Sequence, residues 1–91
     1  MKVSKDFIMR EIAGECILIP VGAAAADLNR LISLNEVGKY VVELLSQEHS
    51  ISELVNKITE EYDISPETAL KDVEAFLKQL QEIGALVEES L

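Results

Sequence analysis

An α+β fold is what this sequence predicts: a three-stranded antiparallel sheet at the N-terminal end, then three helices. Three features point to it. Two apolar runs, 7–12 and 15–21, flank Ala13-Gly14, a turn-forming pair. Across Arg30-Leu31-Ile32-Ser33-Leu34-Asn35-Glu36 the hydrophobic period changes from that of a strand to that of a helix. Beyond this stretch Asn35, Ser50 and Ser65 each mark a helix start.

The first run, 7–12, is rich in strand formers, and with 15–21 it makes a β-hairpin. The second run is apolar on both faces, as expected of a strand covered on both sides. Left exposed, it would be a sticky patch that favours self-association. Pro20 has no N–H to donate and should end the pairing. The stretch 22–27 reads as an irregular link, because its alanines are too few to nucleate a helix between Gly22 and Asp27. The third strand is expected at 28–34, with Leu28, Ile32 and Leu34 on one face and Asn29, Leu31 and Ser33 on the other.

Asn35 can cap the first helix, expected at 36–47, and Glu36 suits the positive end of its dipole. Val37, Tyr40, Val41, Leu44 and Leu45 form its apolar stripe. Gly38 within that helix suggests close packing of another backbone. Ser50 and Glu53 match a capping box for a second helix at 51–62. Ser65-Pro66-Glu67 starts a third at 66–83, which Gly84 should end in a left-handed conformation. The segment 85–87 could add a short last strand or pack as an extended tail.

The chain has 91 residues, enough for one domain with one modest core. Its hydrophobic share of 48% is too high for a disordered segment. The formal net charge of −9 repels phosphate backbones and anionic lipid heads, so nucleic acid and membrane surface are disfavoured partners. The one cysteine, Cys16, cannot form an internal disulfide. No apolar run is long enough for a signal peptide or a bilayer span, and a cytoplasmic location is expected.

Catalytic patterns are missing. His49 is the one histidine, placed in an interhelix loop; Cys16 sits in a strand with no histidine nearby in sequence. Together they cannot supply the usual zinc ligand set. There is no phosphate loop and no GxGxxG. An enzyme acting alone is not expected, and neither is a metal or cofactor.

Strand–strand–strand–helix–helix–helix is a winged-helix-like order. A closer resemblance is carried by four groups of residues. They are Arg10-Glu11-Ile12-Ala13-Gly14-Glu15 with Ile17-Leu18-Ile19-Pro20-Val21-Gly22; Leu31-Ile32-Ser33-Leu34-Asn35-Glu36-Val37-Gly38; Val42-Glu43-Leu44-Leu45; and Val73-Glu74-Ala75-Phe76-Leu77-Lys78-Gln79-Leu80 leading to Gly84-Ala85-Leu86. In this order and spacing they resemble the PqqD-like family, named for pyrroloquinoline quinone synthesis protein D. One departure is Val42, where family members often carry an aromatic, commonly Trp.

The resemblance implies a precursor-peptide (RiPP) recognition element. Such a module holds the leader of a ribosomally made peptide and presents it to a modifying enzyme, typically a radical S-adenosylmethionine enzyme. The leader adds as a strand beside the third strand and lies against the third helix. On that basis the backbone of Arg30, Leu31, Ile32, Ser33 and Leu34 supplies the ladder. Ala69, Val73, Phe76 and Leu80 floor the groove, and Lys71 and Asp72 flank it and read leader charges. An apolar helical stripe is core in most proteins, so each of the four floor residues is also a core candidate.

Two other functions stay open. A winged-helix DNA-binding regulator would read with its third helix, yet that helix carries Glu67, Asp72, Glu74 and Glu82 against only Lys71 and Lys78. A structural adaptor or homodimer without peptide ligand would explain the double-faced apolar run at 16–21.

Overall fold

The hairpin is set by its turn. In the computed structural model, which describes residues 1–22 and 30–88, Ala13 and Gly14 both take positive φ, +53° and +83°. That twist matches the right-handed twist of the flanking strands. It joins β2 (Phe7–Ile12) to β3 (Glu15–Pro20) in the register Ile12↔Glu15 through Phe7↔Pro20. A third strand, β4 (Ile32–Leu34), pairs antiparallel with β3, giving the order β2-β3-β4. Then follow α1 (Glu36–Leu44), α2 (Ile51–Glu61) and α3 (Pro66–Glu82). Two short strands, β1 (Lys2–Val3) and β5 (Leu86–Val87), pair antiparallel and close the chain on itself. The α+β, winged-helix-like order read from the sequence is the order observed.

Each helix begins where its cap predicts. The Asn35 side chain accepts the Gly38 N–H at 2.7 Å. Ser50 and Glu53 form both bonds of the capping box, at 2.9 and 3.2 Å. The Ser65 hydroxyl accepts from the Thr68 N–H at 3.2 Å, with Pro66 at the first helical position, where its missing donor costs nothing. At the other end of α3, Gly84 takes φ +76°; the Ala85 N–H reaches back to the Leu80 carbonyl and the Gly84 N–H to that of Gln81. These are the two bonds of a Schellman ending, which tie down carbonyls the helix cannot satisfy itself.

The second strand and the second and third helices each end one residue before the sequence expectation, and three differences are larger. The first helix stops at Leu44, three residues early, because the chain turns there to let the Val3 N–H bond the Leu45 carbonyl at 2.9 Å. The N-terminal strand β1, unread in the sequence, is held by that bond and by the Ser4 N–H on the Ala85 carbonyl at 2.7 Å. The third strand is three residues rather than seven. Leu28 and Asn29, like the expected link at 23–27, lie outside the described residues. Arg30 and Leu31 precede the strand. In the observed register Arg30 would face Pro20, which has no N–H to give, and the Val21 N–H is already spent on the Asp6 carbonyl at 2.7 Å.

Phe7, Leu18 and Leu34 project from the sheet into a core completed by Val41, Val42 and Leu45 of the first helical region, Leu54 and Ile58 of α2, and Ala69, Val73, Leu77 and Leu80 of α3. Among the described residues no polar or charged residue is buried in it. The other face of the sheet carries Ile8, Ile17 and Ile19 half-buried and Ile12 exposed. That corrects the expectation that the second strand is covered on both sides. Among the described residues no helix is long and apolar enough to cross a membrane.

Candidate functional site

The strand β4 has β3 on one side and, among the described residues, no strand on the other. In an antiparallel pair, backbone groups alternate between pointing at the partner and pointing away. Part of the N–H and C=O complement of Ile32, Ser33 and Leu34 is therefore open to another chain. Ile32 and Leu34 turn toward the core, with Leu34 8% exposed; Ser33 turns outward. Leu31, just before the strand, is 42% exposed, one of the few large apolar side chains so presented.

Two contacts place α3 beside this edge. First, the Phe76 ring packs on the first turn of α1: a Cβ at Gly38 would lie 3.4 Å from it, in ordinary contact, and 3.2 Å from the capping Asn35 Oδ1. Gly38 thus marks the close approach of a side chain rather than of another backbone. Second, Arg30 Nε donates to the Ile83 carbonyl at 2.7 Å. Its guanidinium also lies 5.1 Å from the centre of the Phe7 ring, a cation–π distance. A Cβ at Gly84 would meet the tip of the Arg30 guanidinium, so that side chain would have to shift.

Phe76 and Ile83 lie two turns apart on one flank of α3, and helical spacing adds Asp72 and Gln79 to the same flank. The structure brings together Arg30, Leu31, Ile32, Ser33, Leu34 and Phe76 from the residues expected at the site; Asp72 shares the Phe76 flank by helical spacing alone. The structure does not bring the rest. Ala69, Val73 and Leu80 are 0%, 1% and 0% exposed and belong to the sealed core, so they do not floor an open groove. They sit at the centre of the apolar stripe, where α3 packs chiefly against α2 within the core. Lys71 is exposed on the side of α3 that faces away from the core. Arg30 and Leu31 lie outside the paired strand, and Arg30 braces the edge against α3 rather than extending the ladder. Gln79 and Ile83 were missed as site residues; their helical phase relative to Phe76 is the signal that could have found them.

His49 donates its backbone N–H to the Met1 carbonyl at 3.0 Å, and its ring contacts the Gln47 carbonyl at 3.2 Å. Cys16 is half-buried opposite Leu34. Among the described residues no group of three or more His, Cys, Asp or Glu side chains could hold a metal ion.

Comparison with curated protein sequences gives no match. Among solved structures, one described as TbiB1 in complex with the TbiA(beta) leader peptide shares the fold. It has a TM-score of 0.75 and 24% sequence identity, with 100% of each chain covered. The family model described as coenzyme PQQ synthesis protein D matches residues 15–86, which takes in the hairpin's second strand, the open edge, all three helices and the Schellman ending. The chain belongs to the PqqD family.

Proposed function

We propose that this chain is a non-catalytic peptide-binding partner of a peptide-modifying enzyme. It captures the leader of a ribosomally made precursor by adding the leader as a strand to β4, between that edge and the Asp72–Phe76–Ile83 flank of α3. It then presents the precursor to a radical S-adenosylmethionine enzyme, in pyrroloquinoline quinone synthesis or in another peptide-derived pathway. The observation that carries this reading is the open edge of β4 braced against α3 by Arg30. Backbone pairing on such an edge gives affinity, and alternate side chains meeting the helix give specificity. Family membership and the fold shared with a protein solved with a leader peptide support it.

The test is an amide-shift titration of the labelled protein with the leader of the precursor peptide encoded in the same gene cluster. Micromolar binding, about −8 kcal/mol, is expected. Shifts should concentrate on residues 30–34 and on the Phe76 flank of α3. Leu31→Lys should weaken binding about tenfold while thermal stability stays unchanged. Binding that leaves the β4 edge unshifted, or is indifferent to Leu31→Lys, rules out strand addition here.

A further inference from the structure

The opposite flank of α3 faces a groove. Two concavities, of about 340 and 410 Å³, meet at Ile51 at the start of α2. One runs along Leu77, Lys78 and Gln81 to Leu86; the other runs along Val55, Pro66 and Leu70. From Glu67 to Gln81 the groove follows α3 for about 21 Å at the helical rise per residue. The Val55–Leu70 half of its lining is mostly apolar, with Leu70 standing 41% exposed within it, while the half toward Leu86 is lined about equally by polar and apolar residues. Its rim carries Glu67, Glu74 and Glu88 against Lys78. A third concavity opens from Ile51 toward Glu48 and Glu53, of which Glu48 pairs with the terminal ammonium and Glu53 with the Ser50 N–H.

We propose that this groove docks the modifying enzyme itself, through a surface that inserts an apolar side chain at Leu70 and Ile51 and frames it with Lys or Arg. The proposal rests on the reading of the chain as an adaptor. Charge selects the occupant. The carboxylate rim repels nucleic acid and anionic lipid. A second copy would bring the same carboxylates against themselves across a two-fold axis. A basic protein surface is complementary on both counts. Geometry agrees: the two flanks of α3 are roughly half a turn apart, so leader and enzyme can be held at once on one rigid helix.

The test measures binding of the full chain to the purified modifying enzyme of the same gene cluster, and separately to the leader. Wild-type affinity for the enzyme should fall as NaCl rises from about 50 to about 500 mM. The Leu70→Lys, Glu74→Lys double variant should lose about tenfold or more toward the enzyme and keep leader affinity within about twofold. Leu31→Lys should do the reverse. If Leu70→Lys impairs folding, Glu67→Lys with Glu74→Lys, both at exposed positions, serves in its place. Unchanged enzyme affinity in the charge-reversed variant overturns the proposal, as does a wild-type chain that binds no enzyme. Parallel loss of leader affinity assigns the groove to the leader, and loss of a dimer in sedimentation assigns it to a second copy; either outcome also overturns it. A wild-type chain that binds enzyme but no leader sinks strand addition alone, and the groove then stands or falls on its own variants.

Discussion

Replacing Gly84 by alanine should cost more than its backbone alone explains. At φ +76° a Cβ carries a left-handed penalty of about 1–2 kcal/mol. The same Cβ would also drive into the Arg30 guanidinium. If Arg30 moves aside, the bond from Nε to the Ile83 carbonyl is lost, worth about 1.5 kcal/mol or more for a charged donor. So is the contact with the Phe7 ring, worth about 0.5–1 kcal/mol at a partly exposed site. The summed expectation is about 3–4.5 kcal/mol. A domain of this size holds about 5–13 kcal/mol, so the variant should still fold and be measurable.

Urea unfolding of a double-mutant cycle separates the two parts. With Arg30→Ala already made, the space beside Gly84 is open, and Gly84→Ala should cost only its left-handed share. The coupling between the two sites is expected at about 1.5 kcal/mol or more. Gly84→Asn adds a check: asparagine tolerates positive φ but still carries a Cβ, so it should relieve the conformational share and keep the collision. Additive costs, with Gly84→Ala equally damaging in both backgrounds, would show that Arg30 does not occupy the space at Gly84 and that the brace is not built as described.

Two further perturbations address the helix starts and the sheet. The Ser50 N–H, and after it the Ser50 hydroxyl, hold the Glu53 carboxyl below the usual carboxylate range. Because that group's pKa is lower folded than unfolded, its contribution is present at neutral pH and disappears as pH falls through the lowered value. Ser50→Ala removes the hydroxyl but keeps the backbone N–H, so it should cost about 1 kcal/mol and move the Glu53 titration, followed by carboxyl NMR, only part of the way back toward the ordinary range. Full stability in Ser50→Ala together with an unmoved Glu53 titration would contradict the capping-box assignment. Separately, a cleft of about 440 Å³ opens beside Val42, lined by Phe7, Met9 and Leu18. Val42→Phe should fill part of it and raise stability by about 0.5–2 kcal/mol, read as a higher Tm. A lower Tm would mean the cleft closes too tightly to accept a ring.

The helix starts were legible because a cap is a local device. Asn35, Ser50 and Ser65 each act on residues within three positions of themselves, and the sequence places them side by side. The Gly84 ending was legible for the same reason. What stayed hidden depends on residues far apart in the chain. The length of β4 follows from its register against Pro20, and β1 depends on β5 and on the Leu45 and Ala85 carbonyls coming back to meet it. The candidate site shows the same division. The sequence identified α3 as the helix with apolar width to spare, but its phase did not say which edge of the stripe would be left over. The contacts of Phe76 with Gly38 and of Ile83 with Arg30 decide that, and both join elements remote in sequence.

The shortness of β4 bears on where recognition must lie. Three residues on an antiparallel edge offer an incoming strand about two to four backbone hydrogen bonds. At a net of about 0.5–1.5 kcal/mol each, these give at most about 6 kcal/mol, before any cost of association. Micromolar binding needs about 8 kcal/mol net. The shortfall must come from side chains buried on α3. Association alone costs at least about 4 kcal/mol, so about 6 kcal/mol of apolar contact is required, or roughly 240 Å² removed from water. The surfaces available for that are Leu31, the half-buried Phe76 and Ile83 beside it. An edge this short can orient a peptide, but it cannot select one. In the proposed strand addition, selection would therefore fall to the α3 flank, to what the peptide places against Asp72, Phe76 and Ile83.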